Sequence, residues 1–320
     1  MIVEFLLILL GLAVLLVGGD LLVRGAVGAA TAMGVPPLLV SLTIIAFGTS
    51  APELVVSVTS ILEHQPGIAL GNIIGSNIAN VLLVLGLPAL IYPMSAHVKG
   101  LRRHAVAMLF ATGAFSFVAY AQGALDRHSG GALFAGIIAY VIFLGVMARS
   151  TRGRDPVIDE VAEYSEGGTA NAGAAALYII AGLIGLPIGA HLLVENGSTI
   201  AAELGVRAEI IGLTIVAFGT SLPELATVVA AAFHKKSDVA IGNVVGSNIF
   251  NILAVGGAAG LAGGGPFSDE SLRLDIPLMI VATALLSVFI LGRRDIGRIA
   301  GLAFVAAYAG FIAVLAAQAL

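Results

Sequence analysis

The sequence predicts an all-α membrane protein: ten transmembrane helices arranged as two inverted five-helix repeats. Three observations predict this fold. Hydrophobic residues fill 59% of the 320 positions and charged residues only 11%, against roughly 25% charged in soluble domains, so a soluble fold could not cover its own surface. Ten apolar stretches reach the length of about 20 residues needed to cross a hydrocarbon core. A motif in the first half recurs in the second, and five stretches lie in each half; an odd number turns the second copy upside down in the bilayer.

The stretches run approximately over 2–23, 36–62, 68–91, 102–121 and 131–149, then 173–198, 207–233, 239–262, 273–291 and 297–318. They divide the chain into a first repeat (1–150), a polar connecting loop (151–171) and a second repeat (172–320). The N-terminus carries Glu4 and no basic segment before the first apolar run, unlike a cleavable signal. With the N-terminus outside, 12 of the 15 basic residues fall on the inside. These are Arg24, Lys99, Arg102, Arg103, Arg149, Arg152, Arg154, Lys235, Lys236, Arg293, Arg294 and Arg298. Arg127, Arg207 and Arg273 fall outside. The positive-inside rule therefore predicts both termini outside and a cytoplasmic 150–171 loop in a multi-pass cell (inner or plasma) membrane protein.

The composition excludes a cytosolic enzyme, a secreted disulfide scaffold and a nucleic-acid binder. There is no cysteine, so neither disulfides nor thiolate metal sites exist. The formal charge of −4 is too small to imply a polyionic partner.

The repeat is explicit. Ser41–Leu54 reads SLTIIAFGTSAPEL and Gly212–Leu225 reads GLTIVAFGTSLPEL, identical at 11 of 14 positions at an offset of 171. GNIIGSNIANVL from Gly71 and GNVVGSNIFNIL from Gly242 match at 8 of 12 positions at the same offset. The repeated motif regions are 41–86 and 212–257. Packing alone could preserve small residues in both copies, but it does not need a carboxylate in both.

Glu53 and Glu224 are those carboxylates, each in the middle of an apolar span. A charge at that depth costs at least ~2.5 kcal/mol unless a cavity, ion or partner compensates. Pro52 and Pro223 precede them. Proline lacks an N–H and clashes with the carbonyl four residues back, so each helix is expected to break near Gly48 and Gly219. The break frees carbonyls of the Gly-Thr-Ser segment and starts a half-helix whose positive end favours the carboxylate. Asn72, Ser76 and Asn80 lie on one helical face, repeated by Asn243, Ser247 and Asn251. For Asn72 and Asn243, interhelical hydrogen bonding and ligation are equally good readings; for the other four, ligation is the better one. The GxxxG pairs Gly71/Gly75 and Gly242/Gly246 read as close helix packing.

All these donors are hard oxygens, suited to Ca2+, Na+ or Mg2+ rather than to thiophilic metals. Two carboxylates neutralise one divalent cation. Once it leaves, the site carries −2 and must take monovalent ions or protons, which predicts exchange rather than one-way passage.

GTSAPEL with GNIIGSNIAN, and GTSLPEL with GNVVGSNIFN, resemble the two alpha-repeats of the cation/Ca2+ exchanger superfamily, above all the prokaryotic Na+/Ca2+ antiporters. The resemblance covers nearly the whole chain. It implies Ca2+ held by the Glu53 and Glu224 carboxylates with the Thr49 and Thr220 carbonyls. It implies Na+ sites involving Ser50, Ser221, Ser76, Ser247 and the Ala46 and Ala217 carbonyls, with Asn80 and Asn251 near the centre. It also implies alternating access, with the first and sixth spans sliding against the other eight, and electrogenic Ca2+ efflux. Some relatives, including K+-dependent exchangers, carry Asp where this chain has Asn251, so K+ coupling is not implied. The acidic 155–166 stretch reads as a solvated loop. Ca2+ and Na+ are cargo; no cofactor and no obligate protein partner is expected beyond the lipid bilayer.

A Ca2+/H+ antiporter on the same scaffold is the alternative, and a passive cation channel a more distant one. An intramembrane hydrolase fails because Ser50 and Ser221 have no histidine base at their depth. Asp20/Arg24 and His191/Glu195 read as interfacial i, i+4 pairs. His97, His104, His128 and His234 lie in loops or at span edges and are assigned no role.

Overall fold

A computed structural model describes residues 2–35, 37–151, 172–203 and 217–318. The helices are α1 (Ile2–Met33), α2 (Pro37–Thr49), α3 (Ala51–Leu62), α4 (Pro66–Ile91), α5 (Leu101–Gln122) and α6 (Arg127–Thr151). They continue as α7 (Ala172–Glu203), α8 (Ala217–Thr220), α9 (Leu222–Phe233), α10 (Ser237–Ala262), α11 (Ser271–Leu291) and α12 (Arg298–Gln318). Among the described residues, eight helices are long and apolar enough to cross a membrane. The pair α2/α3, bent by 42°, makes a ninth span, and α8/α9 holds the described part of the tenth. The connecting loop over 152–171 and the start of the second motif, 212–216, lie outside the described residues.

The connections sort the loops onto two faces. On one face a two-residue antiparallel ladder joins β1 (Ala124–Leu125) to β2 (Gly265–Pro266). Gly265 there stands against Pro66, at the start of α4. On the other face Met94 and Ile296 exchange two backbone hydrogen bonds (3.0 and 2.9 Å), and the Ser95 N–H donates to Ser237 Oγ (3.1 Å). Each face gathers alternate loops, as ten antiparallel spans require. The ladder is the only strand structure among the described residues, and it pins the span 4–5 loop to the span 8–9 loop.

The core is apolar and continuous across both repeats, while the outward surfaces of α1, α5, α6 and α12 expose large side chains such as Phe5, Phe110, Ile142 and Leu302. In lipid such a surface needs no polar cover, because helices satisfy their backbone groups internally. The most buried helices, α4 and α10, carry the Asn and Ser residues of both repeats.

α1 and α7 pack antiparallel along a glycine seam. A Cβ on Gly11 would lie 2.8 Å from the Gly189 carbonyl oxygen, and one on Gly182 would lie 2.8 Å from that of Gly18. Gly246 of α10 lies as close to α2, its Cβ position 2.7 Å from Ala46 Cβ, which bears out the packing reading of the second GxxxG pair; the first pair does not follow it, since nothing lies within 4 Å of a Cβ on Gly71 or Gly75. The expected i, i+4 pairs form: Arg24 Nε lies 2.8 Å from Asp20 Oδ2 and His191 Nε2 3.0 Å from Glu195 Oε2. Asp20 also meets His234 Nε2 at 2.5 Å, tying α1 to the end of α9.

Candidate functional site

Both proline-bearing spans break, two residues later than the sequence suggested. The interruptions sit at Ser50 (φ −85°, ψ 4°) and Ser221 (φ −88°, ψ 3°), rather than at Gly48 and Gly219. Pro52 and Pro223 occupy the first turn of the new helix, where a missing N–H removes nothing that would be paired. The clash therefore acts just ahead of the proline, and the helix ends at Thr49 or Thr220. Ser50 N–H still reaches the Ala46 carbonyl (3.1 Å), and Leu54 N–H and Leu225 N–H reach the Ser50 and Ser221 carbonyls (3.2 and 3.0 Å). The Thr49 carbonyl receives no helical bond from the Glu53 N–H. The Ala46 carbonyl is less free, since the Thr49 hydroxyl also donates to it (3.4 Å). Ala217 begins α8, and its side chain lies outside the described residues.

Glu53 and Glu224 fall in the first turn of α3 and α9, each 1% exposed. The positive ends of both half-helices thus point at buried carboxylates. Neither serine at the break caps its helix. Ser50 Oγ instead donates to Glu224 Oε1 across the repeats (3.1 Å).

Hydrogen bonds between the repeats assemble the rest. Thr49 Oγ1 donates to Asn243 Oδ1 (3.5 Å), and its counterpart Thr220 Oγ1 donates to Asn72 Oδ1 (3.4 Å). Asn72 Nδ2 donates to the Glu53 carbonyl (3.3 Å) and to Ser57 Oγ (3.0 Å). Asn72 thus fastens α4 to α3 and to Thr220. Asn251 Nδ2 donates to Ser76 Oγ (3.1 Å), which in turn donates to the Asn72 carbonyl (2.7 Å). Asn248 Nδ2 donates to the carbonyl of its own repeat counterpart, Asn77 (3.4 Å), and Thr112 meets its counterpart Thr283 (3.4 Å). Contacts between equivalent positions mark the pseudo-two-fold axis.

Oxygens without a partner gather among the same residues: Glu53 Oε1 and Oε2, Glu224 Oε2, Ser221 Oγ, Ser247 Oγ, Asn80 Oδ1 and Asn251 Oδ1, all buried. A buried polar atom left unpaired costs about 1–3 kcal/mol, more if charged. Seven such acceptors, donated by carboxylate, hydroxyl and amide, form a donor set for a hard cation. No cluster of three or more His, Cys, Asp or Glu side chains exists among the described residues, so the set matches ions bound by neutral oxygens around two charges. The set is not symmetric. Ser50 and Ser76 are engaged, whereas their counterparts Ser221 and Ser247 are not.

The structure thus brings Thr49, Ser50, Glu53, Ser76, Asn80, Thr220, Ser221, Glu224, Ser247 and Asn251 to one buried region on α2–α4 and α8–α10. Sequence reasoning missed Ser57, Asn77, Asn248 and Ser41, whose hydroxyl holds α2 to the Val239 carbonyl of α10 (2.7 Å). Asn77 and Asn248 repeat at the same offset of 171 and could have been found by that sign. It also missed the wide π turns at Asn80–Leu85 and Asn251–Val255. Such turns insert a residue without any composition cue and cluster at functional sites. His104, assigned no role, is fully buried with Nδ1 3.1 Å from the Tyr140 hydroxyl.

The profile of the family described as "Sodium/calcium exchanger protein" matches residues 3–147 and 174–317. The chain belongs to the sodium/calcium exchanger family. It is 33% identical over 314 residues to the putative antiporter CaxA of Alkalimonas amylolytica, covering 97% of this chain and 98% of that protein. It is 33% identical to the sodium/calcium exchanger MaX1 of Methanosarcina acetivorans, covering 98% of each. A solved structure of the sodium-calcium exchanger NCX_Mj, soaked with 10 mM Na+ and zero Ca2+, superposes with a TM-score of 0.83 at 31% identity over 98% of both chains. The ten-span inverted-repeat fold expected from the sequence is the fold of this family.

Proposed function

We infer that the chain is a secondary active antiporter that exchanges Na+ for Ca2+ across the membrane by alternating access. The observation that carries this reading is the pair of buried carboxylates, Glu53 and Glu224, each at the start of a half-helix and ringed by unpaired neutral oxygens. One Ca2+ cancels both charges, taken by the Glu53 and Glu224 carboxylates with the Thr49 and Thr220 carbonyls. Na+ ions replace it on the Ser50, Ser221, Ser76 and Ser247 hydroxyls and the Ala46 and Ala217 carbonyls, sharing the carboxylates, with Asn80 and Asn251 at the centre. The two loads compete for the same charges, so loading one expels the other. Asn80 and Asn251 add no charge, which leaves K+ coupling without a third carboxylate.

In this reading residues 1–150 and 172–320 are the two repeats and 151–171 is a cytoplasmic connection. Both termini lie outside, as the basic-residue count favours. The gathering of Lys99, Arg102, Lys235, Lys236 and Arg293 on loops that share one face supports that orientation. The antiparallel α1/α7 pair supplies the sliding element, its glycine seam locking the two helices together as one unit.

The test is 45Ca2+ uptake into proteoliposomes with an imposed Na+ gradient. Glu53→Gln and Glu224→Gln are expected to abolish uptake. Normal flux in both variants removes the proposed site. Uptake driven by a pH gradient without Na+ would replace this reading with Ca2+/H+ exchange.

A further inference from the structure

A second site lies at the basic face, away from the carboxylates. A cavity of about 390 Å³ opens there, lined by Ala96, His97, Val98, Lys99, Gly100, Arg102, Arg103 and Arg293. Four of these side chains are cationic, and they come from two repeats. The Met94–Ile296 backbone bridge holds the span 3–4 loop beside the span 9–10 loop, and so fixes Arg293 opposite Arg102 and Arg103.

The walls are built rather than incidental. Gly100 adopts a left-handed conformation (φ +90°), and a Cβ there would lie 2.9 Å from Arg103 Nη2. Arg103 folds back over this glycine, and its Nε–H donates to the Gly100 carbonyl (3.3 Å). Arg293 is itself left-handed (φ +49°), at a helix end where Arg294 N–H reaches the Phe289 carbonyl (2.8 Å). The same left-handed ending closes α3 at His64 and α9 at Lys235.

Among the described residues, no acidic side chain lies within ion-pair distance of Arg102, Arg103 or Arg293, whereas Lys99 is engaged elsewhere. The nearby Asp295 is engaged with His97 (3.0 Å). A planar guanidinium fork matches a phosphate in two-pronged fashion. The cavity volume falls in the small-ligand range of roughly 300–1,000 Å³, which suits a phosphate ester better than a halide.

We propose that this pocket binds a phosphate group, from the headgroup of an anionic phospholipid or from phosphate in solution. Its position at a span end, where the loops meet the bilayer surface, suits a headgroup; basic pockets of this kind hold anionic lipids on the cytoplasmic side. That sidedness rests on the orientation given above, whereas phosphate binding does not.

The experiment uses the purified full-length chain in two arms. In uncharged detergent, inorganic phosphate is titrated against chloride at matched ionic strength, with the melting temperature as readout. In nanodiscs, phosphatidylglycerol is compared with phosphatidylcholine, with retained lipid measured by native mass spectrometry. The Arg102→Gln/Arg103→Gln/Arg293→Gln variant is expected to bind at least about tenfold more weakly, the loss of one or more charge-assisted hydrogen bonds. Lys235→Gln/Lys236→Gln, outside the cavity, is expected to bind as the parent does. If the triple variant does not fold, Gly100→Ala displaces Arg103 and Arg293→Lys keeps charge while losing the fork; both should weaken binding. Preference for phosphatidylglycerol identifies a lipid ligand, and stabilisation by inorganic phosphate alone identifies a soluble one; either supports the proposal. Neither preference in the parent chain, or binding unchanged by these substitutions, overturns it. So does phosphate binding that emerges only after Asp155, Asp159, Glu160, Glu163 and Glu166 are neutralised, which would assign the pocket to the chain's own acidic stretch.

Discussion

Replacing Glu53 by Gln should have opposite effects on stability with and without ions. Both Glu53 oxygens are buried without a partner. An uncompensated buried charge costs several kcal/mol, while an unpaired buried amide costs about 1–3 kcal/mol. Without ions, at a pH where the carboxylate is ionised, Glu53→Gln therefore relieves on the order of 1–3 kcal/mol, and less where it takes up a proton. Ca2+ at a hundred times its dissociation constant stabilises the parent chain by about 2.7 kcal/mol, and the variant forfeits this. At roughly 2–4 °C per kcal/mol for chains somewhat shorter than this one, each difference amounts to a few degrees. Thermal unfolding followed in detergent should show the variant above the parent in chelator and below it in saturating Ca2+. If Ca2+ raises both equally, or if the parent fails to respond, Glu53 does not hold calcium and the site reading is refuted.

Gly11→Leu should destabilise the α1/α7 seam, because its Cβ would stand 2.8 Å from the Gly189 carbonyl oxygen; overpacking of this kind costs about 1–3 kcal/mol. Gly113→Ala, with nothing within 4 Å of its Cβ, should leave the melting temperature unchanged and serves as the control. Asn72→Ala removes the donor to the Glu53 carbonyl and Ser57 and the acceptor for Thr220. A loss of about 1–3 kcal/mol together with weaker Ca2+ dependence of flux is expected, and a change in stability alone would mean that Asn72 does not position Glu53. At the start of α6, hydrogen bonds from the Ser129 hydroxyl and backbone N–H (2.6 and 2.8 Å) hold the Asp126 carboxyl below the ordinary aspartate value. A carboxyl lowered on folding stabilises fully above its unfolded value of about 3.8 and loses that contribution as pH falls through the folded value. Asp126→Asn should flatten the acid limb of a melting-temperature profile, and an unchanged limb would show that this cap does not contribute.

The spans, their number and the carboxylate pair were readable because the chemistry behind them is local. A run of apolar residues means one thing in lipid, and a glutamate inside it is conspicuous. The position of the break was less so. Proline announces a disruption, but whether the helix stops at Gly48 or at Ser50 depends on where the new helix can start, and Pro52 is comfortable in a first turn. The roles of Asn72 and Asn80 could not be separated by spacing, since both lie on the same face. Only the arrival of Thr220 from the other repeat makes Asn72 a fastener, while Asn80 keeps both amide atoms unpaired. The π turns after Asn80 and Asn251 carry no residue signature. The pocket between the span 3–4 and 9–10 loops appears only once the Met94–Ile296 bridge is formed.

The bonds that link the two motifs cross from one half of the chain to the other: Ser41 to Val239, Thr49 to Asn243, Ser50 to Glu224, Thr220 to Asn72, Asn251 to Ser76. Neither half satisfies all of its own polar groups. While the ribosome is still making the second five helices, the first five must wait in the bilayer with the Ser41, Thr49 and Ser50 hydroxyls and Asn72 Oδ1 lacking their eventual mates. Assembly is therefore a late, all-at-once event, and severing the chain between the halves leaves two fragments that need each other to become a protein at all.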